Sequence, residues 1–278
     1  MVSETHPSVQ DRPAIASRRR ARPHTVSWRT AWLSFRALFN WNDPGPFLLA
    51  MVATPLCELL FYSRVGRAFG AAGPEFYVLG GAMLAACTPS IAGGAMSLSS
   101  ERYFGTLEHL LLSGRGRGRV SVLLTRAVPY AAAGLLAAVL SLLAGMAVLR
   151  TTLPVGQLLA FVPLLAVGAL SATYFGMALG VGGLVTRGVF TLMNIAFMAL
   201  ALGAGLLVPA AELPGWLTAI AMVLPMRHAA TAERAAGHDP TLMGLANGAA
   251  AEALVAGAWA AVAVGLFTLY ERRMHRGV

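Results

Sequence analysis

The chain alternates between long apolar runs and short polar segments. The runs occupy about 46–63, 76–98, 120–149, 157–184, 188–208 and 250–270. A helix of ~17–25 residues, rising ~1.5 Å per residue, crosses a hydrocarbon core of ~30 Å, so each run predicts a transmembrane helix with some tilt. Residues 27–42 carry a different pattern. Trp28, Trp32, Phe35, Leu38 and Phe39 recur at helical spacing while Arg29 and Arg36 fall off that stripe. This predicts an amphipathic helix lying in the interface, ended by Asp43-Pro44-Gly45-Pro46. Residues 1–26 read as a disordered basic tail, and no short apolar core with a small-residue cleavage site marks a signal peptide. Residues 209–249 are cut by Pro209, Pro214, Gly215, Pro225, Gly237 and Pro240. Their apolar piece, Leu213–Leu224, is too short to cross and is expected to re-enter the membrane or lie on its surface.

The fold class that follows is an all-α membrane protein. It has six transmembrane helices over 46–270, an N-terminal amphipathic helix, short extracytoplasmic helices before the last span, and a tail at 271–278. Composition strengthens this reading. Of the 278 residues, 57% are hydrophobic and 12% charged, with a mean hydropathy of +0.66. Soluble domains carry about 25% charged residues, so this chain has too few to cover a water-exposed surface. The net charge of +9 comes entirely from arginine, because the sequence contains no lysine. A basic balance often points to nucleic acid, but these arginines cluster at the ends of apolar runs, where a membrane explains them. Cys57 and Cys87 both fall inside apolar runs and read as buried small hydrophobes rather than a disulfide. The arginine-only, alanine- and glycine-rich usage suits a GC-rich bacterial genome.

Arginine placement also sets an expected orientation. With the N-terminus cytoplasmic, the inner segments hold the Arg18–Arg20 cluster, Arg102, Arg115, Arg117, Arg119, Arg187, Arg272, Arg273 and Arg276. The outer segments hold Arg64, Arg67, Arg150, Arg227 and Arg234. Arg126 is expected to snorkel inward from the end of the third span. Both termini then lie in the cytoplasm of a cell-membrane protein.

Several positions are candidates for chemistry. Residues 99–119 predict a short cytoplasmic helix capped by Ser99 or Ser100, with Glu101 and Glu108 in its early turns and Gly114 at its end. Such a helix fits either an interfacial loop resting on headgroups or a docking knob for a cytoplasmic partner. Glu58 reads as the only acid well inside a predicted span, which makes it a functional candidate by default. A hydrated acid near the outer mouth, paired with Arg64 or Arg67, fits equally. In the fifth run Phe190, Met193, Asn194 and Phe197 share one helical face. That face suits a lipophilic pocket, and ordinary packing with Asn194 bonded to a neighbour accounts for it as well. Gly176, Gly180 and Gly183 form a small-residue stripe that predicts close helix packing. No catalytic or metal-ligating spacing is present: there is no His-Glu-x-x-His pair and no Gly-x-Ser-x-Gly elbow. Without lysine there is no Walker A loop, so any ATP-driven motor resides in another polypeptide.

The stretch Glu101-Arg102-x-x-Gly105-Thr106-Leu107-Glu108-x-Leu110-Leu111 resembles the corresponding loop of ABC-2 type transporter permeases, including daunorubicin-resistance-type drug exporters. The segment Leu213-Pro214-Gly215-Trp216-Leu217, continuing to Pro225-Met226-Arg227-His228 and Arg234, resembles the same family's segment before its last span. Ser113-Gly114 departs from relatives that often place a proline there. The resemblance covers about residues 28–274 and implies a half-transporter. Two permease copies, identical or different, would pair in the lipid and engage separate ATP-binding subunits that hold ATP and Mg. Glu101, Arg102, Gly105, Thr106, Leu107, Glu108, Leu110 and Leu111 would dock those subunits. Spans two and five would line the path, and Leu213, Pro214, Trp216 and Pro225 would belong to an outer gate. The expected function is therefore the permease subunit of an exporter for a lipophilic or amphipathic substrate such as a drug or lipid. The alternative is a proton-coupled secondary transporter using Glu58. A membrane enzyme has no nucleophile–base or metal-ligand spacing to rest on.

Overall fold

The computed structural model describes Trp32 and residues 44–68, 72–103, 120, 123–186, 188–209, 212–238 and 241–276. The expected tail at 1–26 lies outside the described residues, as does the amphipathic helix at 27–42 apart from Trp32. Among the described residues there are eight helices: α1 (Pro44–Ala68), α2 (Pro74–Tyr103), α3 (Ala127–Leu149), α4 (Val155–Thr186), α5 (Val189–Gly203), α6 (Gly215–Ala221), α7 (Arg227–His238) and α8 (Leu242–Arg276). Four segments are long and apolar enough to cross a membrane by length and composition: Pro74–Ser99, Leu123–Leu149, Val155–Thr186 and Leu242–Arg273. The apolar helix α5 is shorter, at 15 residues. This is a helical membrane protein.

The central pair is α2 and α4, with α3 packed on both, α8 packed on α4 and α7, and α1 against α2 and α3. Small residues allow the central crossing. A Cβ added at Gly176 would meet Ile91 Cα at 2.8 Å, and one at Gly180 would meet Ala95 Cα at 2.9 Å. The expected glycine stripe thus brings two backbones into contact, while Gly183 makes room for Val189 at the start of α5. Because backbone cannot yield as a flexible side chain can, Gly176→Ala is expected to cost about 1–3 kcal/mol. Gly257, with nothing within 4 Å of an added Cβ, is the control. The check is the melting temperature of each alanine variant in detergent; equal values for the two would refute the close crossing.

Three local expectations are corrected. Ser99 does not cap a new helix, because α2 continues unbroken through Tyr103 and Ser99 Oγ donates to the Gly180 carbonyl at 3.2 Å. The same continuity places Ser100 inside α2. Arg126 does not snorkel out. It is buried, and its Nη1 donates to the Ser97 carbonyl at 3.2 Å, tying the start of α3 to α2. Cys87 is buried as expected but Cys57 is exposed on α1, and both are free.

Candidate functional site

The site begins where α5 ends. Its 15 residues rise about 22 Å, short of a ~30 Å hydrocarbon core. The run expected to extend to 208 instead turns at Ala204, and Gly205 adopts φ +75. Only a residue without a Cβ takes that left-handed conformation at little cost, and it commonly ends a helix. The last carbonyls of such a helix lack intrahelical partners and must find donors.

The carbonyls of the turn that follows α5, at 204–206, find donors on α7. Arg227 and Arg234 lie two turns apart on one face of this short helix. Arg227 Nη1 donates to the Ala204 carbonyl at 3.4 Å. Arg234 Nη1 donates to the Gly205 carbonyl, and its Nη2 reaches the Leu206 carbonyl at 3.1 Å. The guanidinium also sits 4.0 Å over the Phe76 ring of α2. The positive charges meet the negative end of the α5 dipole, so geometry and electrostatics agree. Burial lowers the Arg234 pKa to about 10, opposed by Glu233 beside it and reinforced by Arg227, so it stays charged near neutral pH.

The N-terminus of α7 is buried as well. Met226 precedes it with φ 68. Three of its orphan N–H groups converge on one carboxylate. Glu252 of α8 accepts from Met226 N at 2.8 Å through Oε1, and from His228 N at 3.2 Å and Ala229 N at 3.3 Å through Oε2. Glu252 is fully buried. A carboxylate so placed does the work of an N-cap side chain from a different helix, and the positive end of the α7 dipole favours its charge. Trp259, two turns further along α8, donates from Nε1 to the Val223 carbonyl at 2.8 Å and packs edge-on against Phe175 of α4 at 4.6 Å. The turn between α6 and α7 is thereby held at the level of Trp259.

At the other end of α7, Glu233 Oε1 accepts a 2.7 Å hydrogen bond from Gln157 Nε2 in the first turn of α4. Its Oε2 is buried with no hydrogen-bond partner among the described residues. Burial raises the Glu233 pKa from 4.5 to about 7, against the lowering effects of the Gln157 bond and the Arg234 charge. α7 is thus fastened by four polar attachments to α4, α5 and α8.

The residues singled out from sequence fare unequally. Glu101 and Arg102 fall in the last turn of α2. Gly105, Thr106, Leu107, Glu108, Leu110 and Leu111 lie outside the described residues. The face of Phe190, Met193, Asn194 and Phe197 is split by packing. Met193 is buried and Phe197 packs on the core, while Phe190 is 65% exposed and Asn194 is exposed. Leu213 and the exposed Pro214 precede α6, on which Trp216 is exposed, whereas Pro225 is buried beneath the turn into α7. Glu58 is half-buried on α1 and meets no hydrogen-bond or ionic partner among the described residues.

Nor is Glu58 the only acid inside a span, because the last helix starts at Leu242 rather than near 250 and so encloses Glu252. A signal for that start exists in the sequence. Thr241 follows Pro240, and its Oγ1 accepts from Gly244 N at 3.2 Å, as an N-cap threonine does. Glu233 and Gln157 have no comparable signal.

The described residues form a helical membrane domain with a short, polar helix clamped before its last long helix. The chain belongs to the ABC-2 type transporter family, whose model matches residues 26–236. Among curated proteins, no relative matches the chain. The family match ends inside α7, so the part played by Glu252 rests on the geometry alone.

Proposed function

We propose that this chain is the permease subunit of an ATP-binding cassette exporter. It moves a lipophilic or amphipathic substrate out of the cell and is powered by a separate ATPase subunit. The observation that carries this reading is the family match over residues 26–236, which takes in both the Glu101–Leu111 stretch and the Leu213–Arg234 segment. The absence of lysine supports a borrowed motor, because no P-loop can be built in this chain. In this reading α1, and α5 together with the irregular residues 204–208 that follow it, join the four long helices as six crossings, with both termini cytoplasmic. A second copy completes the pore, and a daunorubicin-type drug is one substrate class that fits. The exposed side of α5, with Phe190 and Asn194, then faces the path or the second copy. α6 and α7 re-enter from the outer side, and their polar attachments form the frame of an outer gate.

The docking residues supply the test. Glu108→Arg reverses a charge in the proposed motor contact, where disrupting a central residue costs ~2 kcal/mol or more. Co-purified ATPase and ATP-dependent efflux are both expected to fall by at least about tenfold. Unchanged efflux in this variant would sink the docking assignment. Efflux that collapses with an uncoupler at constant ATP would favour proton coupling through Glu58 instead.

A further inference from the structure

We propose that Glu233 is a proton-binding site at which the acidity of the surrounding solution sets how firmly α7 is held against α4. The geometry is that of a carboxyl group built to be neutral. Glu233 is 1% exposed, one oxygen is engaged by Gln157, and the other is buried with no hydrogen-bond partner among the described residues. An ionised carboxylate in that position leaves a charged acceptor atom desolvated, whereas a carboxyl bearing a proton on Oε2 is buried at far lower cost.

The surrounding charges do not cancel this. From α4 the facing group is the neutral amide of Gln157. On α8 the buried acid is Glu252, whose two oxygens are occupied by the N-terminus of α7. From α2 the nearby side chain is Phe76, which stacks on Arg234. On α7 itself Arg234 offsets part of the burial, while its Nη1 and Nη2 also donate to the Gly205 and Leu206 carbonyls.

The sign follows from the raised pKa. Packed α7 holds Glu233 near 7, against 4.5 for a hydrated carboxyl. The packed state is therefore fully favoured below about 4.5 and loses that advantage as pH rises to about 7, beyond which no further change comes from this group. On the orientation proposed above, the proton exchanges with the outer solution. Acid outside would latch α7 onto α4, and neutral or alkaline solution would loosen it. The inference does not depend on what the protein transports.

The test uses the full-length chain in lipid nanodiscs, with Cys57→Ser and Cys87→Ala removing the native thiols. Ala236→Cys places a reporter one turn beyond Glu233 at a buried position, and Ala235→Cys places one at an exposed position. The ratio of their labelling rates with a polar maleimide cancels the intrinsic pH dependence of thiol chemistry. Between about pH 5 and about pH 8 the ratio is expected to rise by at least about tenfold. In the Glu233→Gln background it is expected to stay low and flat. A flat ratio with Glu233 present, or the same rise with Glu233→Gln, would overturn the proposal. Gln157→Met provides a second arm that does not touch the acid. Losing the hydrogen bond that favours the carboxylate should move the rise to higher pH, and an unmoved midpoint would count equally against the proposal.

Discussion

Glu252→Ala is expected to free the N-terminus of α7 and destabilise the protein by at least about 3 kcal/mol. The estimate comes from three backbone N–H groups that lose their acceptor, each costing about 1–3 kcal/mol when buried. The groups belong to Met226, His228 and Ala229, and the acceptor is fully buried. Because Glu252 is fully buried, solvent cannot replace it without opening the site. Against a total stability of about 5–15 kcal/mol the loss is large. Glu252→Gln retains one acceptor oxygen but loses the charge that complements the helix dipole, so an intermediate effect is expected. Amide hydrogen exchange at 226, 228 and 229 reads the change directly, and melting in detergent gives its size. If Glu252→Ala leaves those amides as protected as in the parent protein, the capping role is wrong.

Arg234→Met is the second large change. Methionine keeps much of the apolar stem while removing the donors to the Gly205 and Leu206 carbonyls. Hydrogen bonds from a charged group contribute about 1.5–3 kcal/mol each, so the pair stands for about 3 kcal/mol or more. The end of α5 is expected to fray, with faster exchange at 204–208 and, in the proposed exporter, a matching loss of ATP-driven efflux. Arg234→Lys should recover only part, because a single ammonium cannot span two carbonyls as a planar guanidinium does. The substitution also removes the cation that lowers the Glu233 pKa. The proton-dependent release of α7 is therefore expected to shift to higher pH in Arg234→Met. Exchange and melting indistinguishable from the parent protein would show that the α5 carbonyls are satisfied in some other way.

These two residues differ in how visible they were beforehand. Arg234 stood in the segment that resembles the family, yet the sequence placed it only as one of a few outer charges. Glu252 sits at the edge of an apolar run that hydropathy alone begins near 250, and only the threonine cap at Thr241 extends the helix back far enough to enclose it. The face of Phe190, Met193, Asn194 and Phe197 shows the same gap from the other side. Helical spacing groups the four on one face, but the packing of α5 on α4 and α2 turns Met193 and Phe197 inward and leaves Phe190 and Asn194 outside.

What the sequence determined by itself was everything local in hydropathy and backbone chemistry. The long apolar helices, the breaks at proline and glycine, the glycine stripe at Gly176 and Gly180, and the absence of a resident P-loop all follow from residues read in order. Burial in lipid depends on composition along a run, and helix formation there is obligatory because each backbone group must be satisfied within its own segment. The tertiary structure alone decided which helix ends fall short and what satisfies them. α5 stops early and α7 starts against α8, so the carbonyls of the turn after α5 and the N–H groups at the start of α7 are met by Arg227 and Arg234, and by Glu252, from elements far away in sequence. Such pairings depend on the depth and rotation of packed helices. A periodic pattern leaves depth and rotation open, and only contact with neighbouring helices sets them.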